Sequence, residues 1–369
     1  MSSTLRQVLS KGLPPPGSSS SQRGQGRSRD VTPLAWEEFF DENRVVDIDG
    51  DRFSGNSGPV FYFLHGGGYS GLTWSCLALE LCSRIGCRLL APDLRGHGQT
   101  QTQDEVDLST ERQVKDIINI FKTIFCENGD EEPPLVCVVG HSSLLIQIVC
   151  YFLTTSLVLK KVYRQFDFWS HSSCRLPQKS LETQILVNRL VESCVASLRK
   201  GLFMDYSSAS QTTFLRGRPA TFESEEKAIG WCLQSGATRN RKAARISMPS
   251  QIKRMKDGKY TWRVDLMATE PFWVGWFKGL SAKFLSCSPP KLLVLAGVDR
   301  LDKDLTIAQM QGKFQNTILP KVGHAVHEDS PDRLADELVR FAIRHRFAEA
   351  IPGSTPLASR PVMGMGMMI

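Results

Sequence analysis

Leu135-Val136-Cys137-Val138-Val139-Gly140-His141-Ser142 is the stretch that decides the fold. Its first five residues are continuously apolar, as in a strand buried on both faces of a parallel sheet. It then runs into Gly-His-Ser, the first half of the sharp strand-to-helix turn that lifts a nucleophilic serine above a sheet. That turn is crowded, and a small residue two places after the serine normally relieves it. Here the position is occupied by Leu144.

Working outward, strands and helices alternate. Val60–Leu64 reads as a strand that feeds directly into His65-Gly66-Gly67-Gly68. Trp74 to Ile85 has helical spacing, and Cys87–Ala91 is a short strand before the loop Pro92-Asp93-Leu94-Arg95-Gly96-His97-Gly98. Leu108-Ser109-Thr110-Glu111 has acids placed for a helix start, and Asp116–Phe125 continues as an amphipathic helix. Lys291–Ala296 is another buried strand, Phe314–Leu319 a last one, and Pro331–Arg344 a last helix. This order predicts an α/β protein with a mostly parallel sheet flanked by helices and interrupted by a lid insertion. Residues 1–32 form a basic Ser/Gly/Pro-rich tail expected to be disordered, 33–350 the folded domain, and 351–369 a flexible tail. Within the domain, 143–213 is an atypical insert and roughly 214–290 the lid. No strand is evident in 143–213. Its opening apolar stretch, Leu144–Leu159, is shorter than the ~20 residues a membrane helix needs.

Composition narrows the function classes. The 369 residues are 41% hydrophobic and 22% charged, ordinary for a globular protein with a large core. The net charge of +7 lies partly in the tail, where Arg6, Lys11, Arg23, Arg27 and Arg29 face Asp30. No basic face interleaved with aromatics marks a nucleic-acid binder. The ten cysteines lack zinc-ligand spacing, and several, such as Cys137 and Cys150, sit in apolar runs as small core residues. No secretory signal opens the chain, so a reducing cytoplasmic or nuclear setting is expected. No metal, cofactor, nucleic acid or membrane is expected as a partner.

Ester hydrolysis by serine requires a nucleophile, a base, a group that orients the base, and two N–H donors for the oxyanion. Ser142 stands at a strand end, where α/β sheets place their sites. His324 follows a late strand and Gly323, in the chain order usual for such sites. His97 and His327 are competing bases; the first comes early, and the second fits better as a holder of the loop with Glu328 or Asp329. Gly67 is the expected oxyanion donor of the early loop, and Ser143 supplies the second N–H.

These motifs together resemble the protein phosphatase methylesterases. The resemblance is carried by His65-Gly66-Gly67-Gly68 with Trp74, Asp93-Leu94-Arg95 with His97-Gly98, and Gly140-His141-Ser142. It continues through Phe214-Leu215-Arg216-Gly217-Arg218-Pro219, Ala244–Met248, Trp262-Arg263, Trp273, Gly275-Trp276-Phe277 and Gly279-Leu280-Ser281. Leu292–Lys313 and Gly323-His324-Ala325-Val326-His327-Glu328-Asp329 complete it. The family has the α/β-hydrolase fold and removes a methyl ester from the C-terminal carboxylate of the type 2A protein phosphatase catalytic subunit. The resemblance therefore implies that activity, that partner, Ser142 as nucleophile and His324 as base.

The chain departs from the family after Ser142. There the family continues Met-Gly-Gly, a helix, a strand and an Asp-Val-Val-Glu-Gly run bearing its catalytic acid. Here 143–213 replaces that stretch, as in an isoform-like variant, and the expectation is that a core strand and its helix are lost from the sheet. Asp299, after the Leu292–Ala296 run, is the substitute acid; Asp167 and Asp205 are weaker candidates. The alternative function is a catalytically impaired relative that only binds the phosphatase, or misfolds. The lid aromatics Trp262, Phe272, Trp273, Trp276, Phe277 and Phe284 are expected to form lid core, with part of the group free to shape a pocket.

Overall fold

Continuous apolar runs build the centre of the molecule because a strand covered on both faces has no solvent side on which to place polar residues. The computed structural model describes residues 30–40, 59–125, 134–141, 215–287, 289–296 and 301–352, and the backbone of 191–198. Nine strands are described: β1 Val60–Leu64, β2 Arg88–Leu90, β3 Val136–His141, β4 Val191–Leu198, β5 Thr221–Phe222, β6 Ile252–Arg254, β7 Tyr260–Trp262, β8 Lys291–Ala296 and β9 Gln315–Leu319. The helices are α1 Ser75–Cys82, α2 Thr110–Phe125, α3 Glu225–Ser235, α4 Arg241–Ser250, α5 Glu270–Phe277, α6 Leu280–Ser286, α7 Lys303–Met310, α8 Val326–Asp329 and α9 Pro331–Arg344. No helix among the described residues is long and apolar enough to cross a membrane.

Six strands form one sheet in the order β2-β1-β3-β4-β8-β9, and every pairing is parallel. Side chains alternate across it. Tyr62, Leu64, Val136, Val138, Leu293 and Leu295 point to one face with Val114, Ile117 and Phe121 of α2. Phe61, Phe63, Cys137, Val139, Leu292 and Val294 point to the other, with Leu77 and Leu81 of α1 and Leu334, Leu338 and Phe341 of α9. Phe63 stacks on Trp74 at 4.9 Å and Phe61 meets Phe347 edge-on at 5.1 Å.

The insert at 143–213 does not remove a core strand. β4 lies inside it and fills the slot between β3 and β8, with Val139 opposite Val195 and Ala196 opposite Leu293. Val191-Glu-Ser-Cys-Val-Ala-Ser-Leu198 mixes small and polar residues with apolar ones. Its own composition therefore signals a strand weakly, and two neighbouring ladders select it.

A second sheet, antiparallel in the order β5-β7-β6, belongs to the lid with α3 and α4. Phe222, Ala228, Ile229, Cys232, Ala244, Met248 and Ile252 form its core. α3 is capped by Ser224, whose Oγ accepts from Lys227 N–H, and ends at Gly236 with φ 72°. Asn240 Oδ1 caps α4 by accepting from Lys242 and Ala243 N–H. The lid aromatics divide. Trp262 stays in the lid, whereas Trp273, Trp276 and Phe284 pack into the core of the main sheet. Trp276 Nε1 donates to Leu108 O at 3.0 Å, and Phe284 meets Phe314 edge-on at 5.4 Å. They anchor α5 and α6 to the main body. The side chain of Phe277 lies outside the described residues.

Proline at Val195 removes an N–H from a strand flanked on both sides, which sheets tolerate only at edges and bulges. Val195→Pro is expected to abolish soluble, cooperatively unfolding protein. A soluble variant with an unchanged melting midpoint would show that 191–198 is not a central strand.

Candidate active site

Three chain segments far apart in sequence reach the carboxyl end of the sheet. β1 ends at Leu64 and runs into His65-Gly66-Gly67-Gly68-Tyr69; β3 ends at His141; β9 leads through Pro320-Lys321-Val322-Gly323 to His324. They converge on the His141 side chain. His141 Nε2 donates to the His324 carbonyl at 3.2 Å, and the two rings lie 4.6 Å apart. The ring of Tyr69 meets His141 edge-on at 5.2 Å and that of His327 at 4.5 Å. A Cβ on Gly66 would stand 2.8 Å from His141 Nδ1, so only glycine lets the early loop come this close.

The early loop is fixed by two buried imidazoles. His65 Nε2 accepts from Leu94 N–H at 2.9 Å, so its Nδ1 carries the proton and donates to Gly66 O. His97 Nε2 accepts from Gly68 N–H at 2.9 Å, and its Nδ1–H donates to Arg95 O at 2.8 Å. Both rings are committed to backbone, which removes His97 from the candidates for the base. Gly68 sits at φ 82°, a left-handed conformation natural to glycine. With Gly68 N–H engaged and Tyr69 N–H donating to Gly66 O, Gly67 N–H has no acceptor among the described residues. Leu266 of the lid lies over Gly67 and Gly68.

His327 is likewise structural. The Thr73 hydroxyl donates to Glu328 Oε1, so it accepts from His327 Nε2–H at 2.8 Å. The ring packs 4.2 Å from Trp74. The sequence expectation is that His327 holds the loop with Glu328 or Asp329; the bond to the loop is made by Asp329, whose Oδ2 accepts from Gly323 N–H, while His327 and Glu328 share the Thr73 hydroxyl. His324 itself is half-buried. Arg95, from the Asp93-Leu94-Arg95 motif, forms a two-pronged ion pair with Asp116, Nε to Oδ2 at 2.6 Å and Nη2 to Oδ1 at 2.7 Å, tying this loop to α2.

Burial sets the charge state. His141 is held well below the ordinary 6.5 by desolvation and then by the His327 and His324 rings. His65 is depressed by desolvation and then by His97, and His97 by desolvation. Desolvation, then His324, brings His327 down to about 3. Glu328 moves the other way, up to about 7, because desolvation outweighs the hydroxyl hydrogen bonds of Ser247 and Thr73. From the lid, Arg218 lies 3.4 Å over the Trp262 ring, and burial lowers it to about 10 beside Tyr69 and Cys232.

Of the residues singled out by sequence, the structure brings Gly67 and His324 to one end of the sheet. Ser142 is the residue directly after β3; Ser142, Ser143, Leu144, Asp299, Asp167 and Asp205 lie outside the described residues. Thr73, Tyr69, Thr238 and Arg239 escaped sequence reasoning. Only Tyr69 carried a local signal, as the residue that follows the three glycines.

The alpha/beta hydrolase family pattern matches residues 61–337. The chain is 50% identical to the probable protein phosphatase methylesterase 1 of Caenorhabditis elegans, over 97% of this chain and 89% of that protein. It is 39% identical to protein phosphatase methylesterase 1 of Homo sapiens, over 92% of this chain and 94% of that protein. Among solved structures it is similar to E-2-(acetamidomethylene)succinate hydrolase, with a TM-score of 0.54, 19% identity and coverage of 78% and 92%. An esterase of M. tuberculosis gives a TM-score of 0.51 at 22% identity, with coverage of 79% and 87%. At such identities these two structures speak to the fold alone.

The charge states make stability depend on pH with opposing signs. Glu328, raised from 4.5 to about 7, contributes stability that is full below 4.5 and lost as pH rises through 7. His65, His97, His141 and His327, all lowered from 6.5, contribute stability that is present above 6.5 and lost as pH falls. Below 6.5 the depressed imidazoles outnumber the one carboxyl that opposes them, at about 1.4 kcal/mol per proton per pH unit. The melting midpoint is expected to fall on acidification from pH 7 to 5. Glu328→Gln deletes the opposing group and should steepen that fall; an equal or shallower slope would mean that Glu328 is ionised in the folded protein.

Proposed function

The chain belongs to the protein phosphatase methylesterases of the alpha/beta hydrolase family, and from that premise we propose a serine-esterase mechanism acting on a phosphatase methyl ester. The substrate is the methylated C-terminal carboxylate of a type 2A phosphatase catalytic subunit. His324 takes the proton of Ser142 as the hydroxyl oxygen attacks the ester carbonyl. The oxyanion of the tetrahedral intermediate accepts from the N–H groups of Gly67 and Ser143. Collapse expels methanol, which receives the proton from His324. A water deprotonated by His324 then attacks the acyl-enzyme and releases the free carboxylate and Ser142. Asp299 orients His324 in this reading.

The observation that carries it is the convergence on His141. The residue immediately before Ser142 hydrogen-bonds the backbone of His324 and touches Gly66, which brings the end of β3, the His324 loop and the early glycine loop together. Gly67 supports the donor role because its N–H has no acceptor among the described residues. The alternative of a chain that only binds or misfolds assumed a missing core strand, and β4 occupies that place.

The test is the release of methanol from a methyl-esterified phosphatase C-terminal peptide, alongside labelling by a fluorophosphonate. Ser142→Ala and His324→Ala should each lower turnover by about 10⁴-fold or more, and Ser142→Ala should abolish labelling. Asp299→Asn is expected to cost about 10⁴-fold if it orients the base. Undiminished labelling of Ser142→Ala would refute the nucleophile assignment, and an unaffected Asp299→Asn would refute the acid.

A further inference from the structure

The loop that carries His324 is short and has no regular structure, so its conformation depends on what its backbone groups bond to. Four successive anchors are present. Arg333 Nη1, from α9, donates to Pro320 O at 3.0 Å. Arg239 Nη1 donates to Lys321 O at 2.8 Å, and Lys321 stands at φ 64°, a backbone conformation that a non-glycine residue holds only under constraint. Gly323 N–H donates to Asp329 Oδ2 at 2.5 Å. The His324 carbonyl accepts from His141.

Two of these anchors lead to the lid. Arg239 lies between α3 and α4. Asp329, which holds Gly323, has its other oxygen saturated by the same turn: Oδ1 accepts from Arg239 N–H at 2.6 Å and from the buried Thr238 hydroxyl at 3.1 Å. A Cβ on Gly323 would lie 2.9 Å from Asp329 Oδ2 and 3.7 Å from the Gly236 carbonyl, so the loop is confined between the carboxylate and the end of α3.

We propose that Asp329, clamped by Thr238 and Arg239 of the lid, is a positioning residue that sets where His324 stands. The inference rests on the reading of His324 as the base and names how this chain holds that base. Both carboxylate oxygens accept from donors, and the ionised form suits all three at once. An amide cannot replace it, because its NH₂ would face a backbone N–H on one side or the other. The arrangement gives the lid a part in catalysis through geometry alone, since neither Arg239 nor Asp329 needs to touch substrate. A displacement of the base by about 1 Å is enough to cost about 10²-fold in rate.

The test measures inactivation of the full chain by a fluorophosphonate, separating the first-order constant from the concentration giving half-maximal rate. Asp329→Asn is expected to lower the first-order constant at least tenfold and leave the half-maximal concentration unchanged. Arg239→Ala, which keeps the backbone N–H and loses only the Lys321 anchor, should lower it about threefold, and Arg239→Lys, still able to reach that carbonyl, should restore it. Unchanged first-order constants in Asp329→Asn and Arg239→Ala, beside a much slower His324→Ala, would overturn the positioning role while leaving the base assignment intact. His324→Ala reacting as fast as the parent chain would instead remove the base reading, and this proposal with it. If Asp329→Asn fails to fold, the Arg239 pair decides: a loss in Arg239→Ala that Arg239→Lys does not restore would also overturn the proposal.

Discussion

The imidazole of His141 is the joint from which the rest of the site is built. It fills the space between an early glycine turn and a late histidine loop, and gives its one donor to the His324 carbonyl. β3 is held on both sides in a parallel sheet, and from Cys137 to His141 its pairing with β4 is in continuous register, so the strand end that carries this ring is fixed. The glycines before and after it in space, Gly66 and Gly323, are the complementary half of the same constraint. Each lies where a side chain would strike a polar group, His141 Nδ1 in one case and Asp329 Oδ2 in the other. The close approach of backbones at the sheet end thus follows from bulk on one strand and its absence on two loops.

Neutral imidazoles are what make the surrounding scaffold directional. A protonated ring has two donors and cannot accept, so His65 could not receive Leu94 N–H and His97 could not receive Gly68 N–H. Desolvation keeps these rings neutral, and neutrality in turn fixes which nitrogen faces which backbone group. Through Thr73, His327 and Glu328 extend the same logic to α8. The polar groups under the site are therefore specific because they are buried.

How much of this was legible in the sequence depends on whether a feature is local. β8 and α9 occupy the expected residues, Lys291–Ala296 and Pro331–Arg344, because one is a continuous apolar run and the other opens with proline at its first turn and keeps a helical apolar stripe. Gly67 and His324 were visible because glycine runs and Gly-His after a strand have few cheaper explanations. β4 was not, since Glu192, Ser193 and Ser197 obscure its pattern and its selection comes from two flanking ladders. Thr238 and Arg239 were invisible for the same reason, and Asp329 was legible as a holder of its own loop but not as their partner. Each is common alone, and their meaning lies in a contact that spans roughly ninety residues of chain. Trp273 and Trp276 misled in the other direction, as an aromatic cluster inside the inserted region that serves the main core.

The place of β4 also fixes an order of events in folding. Ser197 pairs with Val294, roughly a hundred residues later, and the lid lies between them in the chain. The lid's own contacts, among β5, α3, α4, β6 and β7, are local by comparison. Loop-closure entropy makes such local units form early and distant parallel pairings form late. The lid is thus a knot of structure that shortens the effective span between the two strands before they meet. Until they do, β3 and β8 each present an unpaired apolar edge, the species in which this chain is most exposed to aggregation and most in need of chaperones.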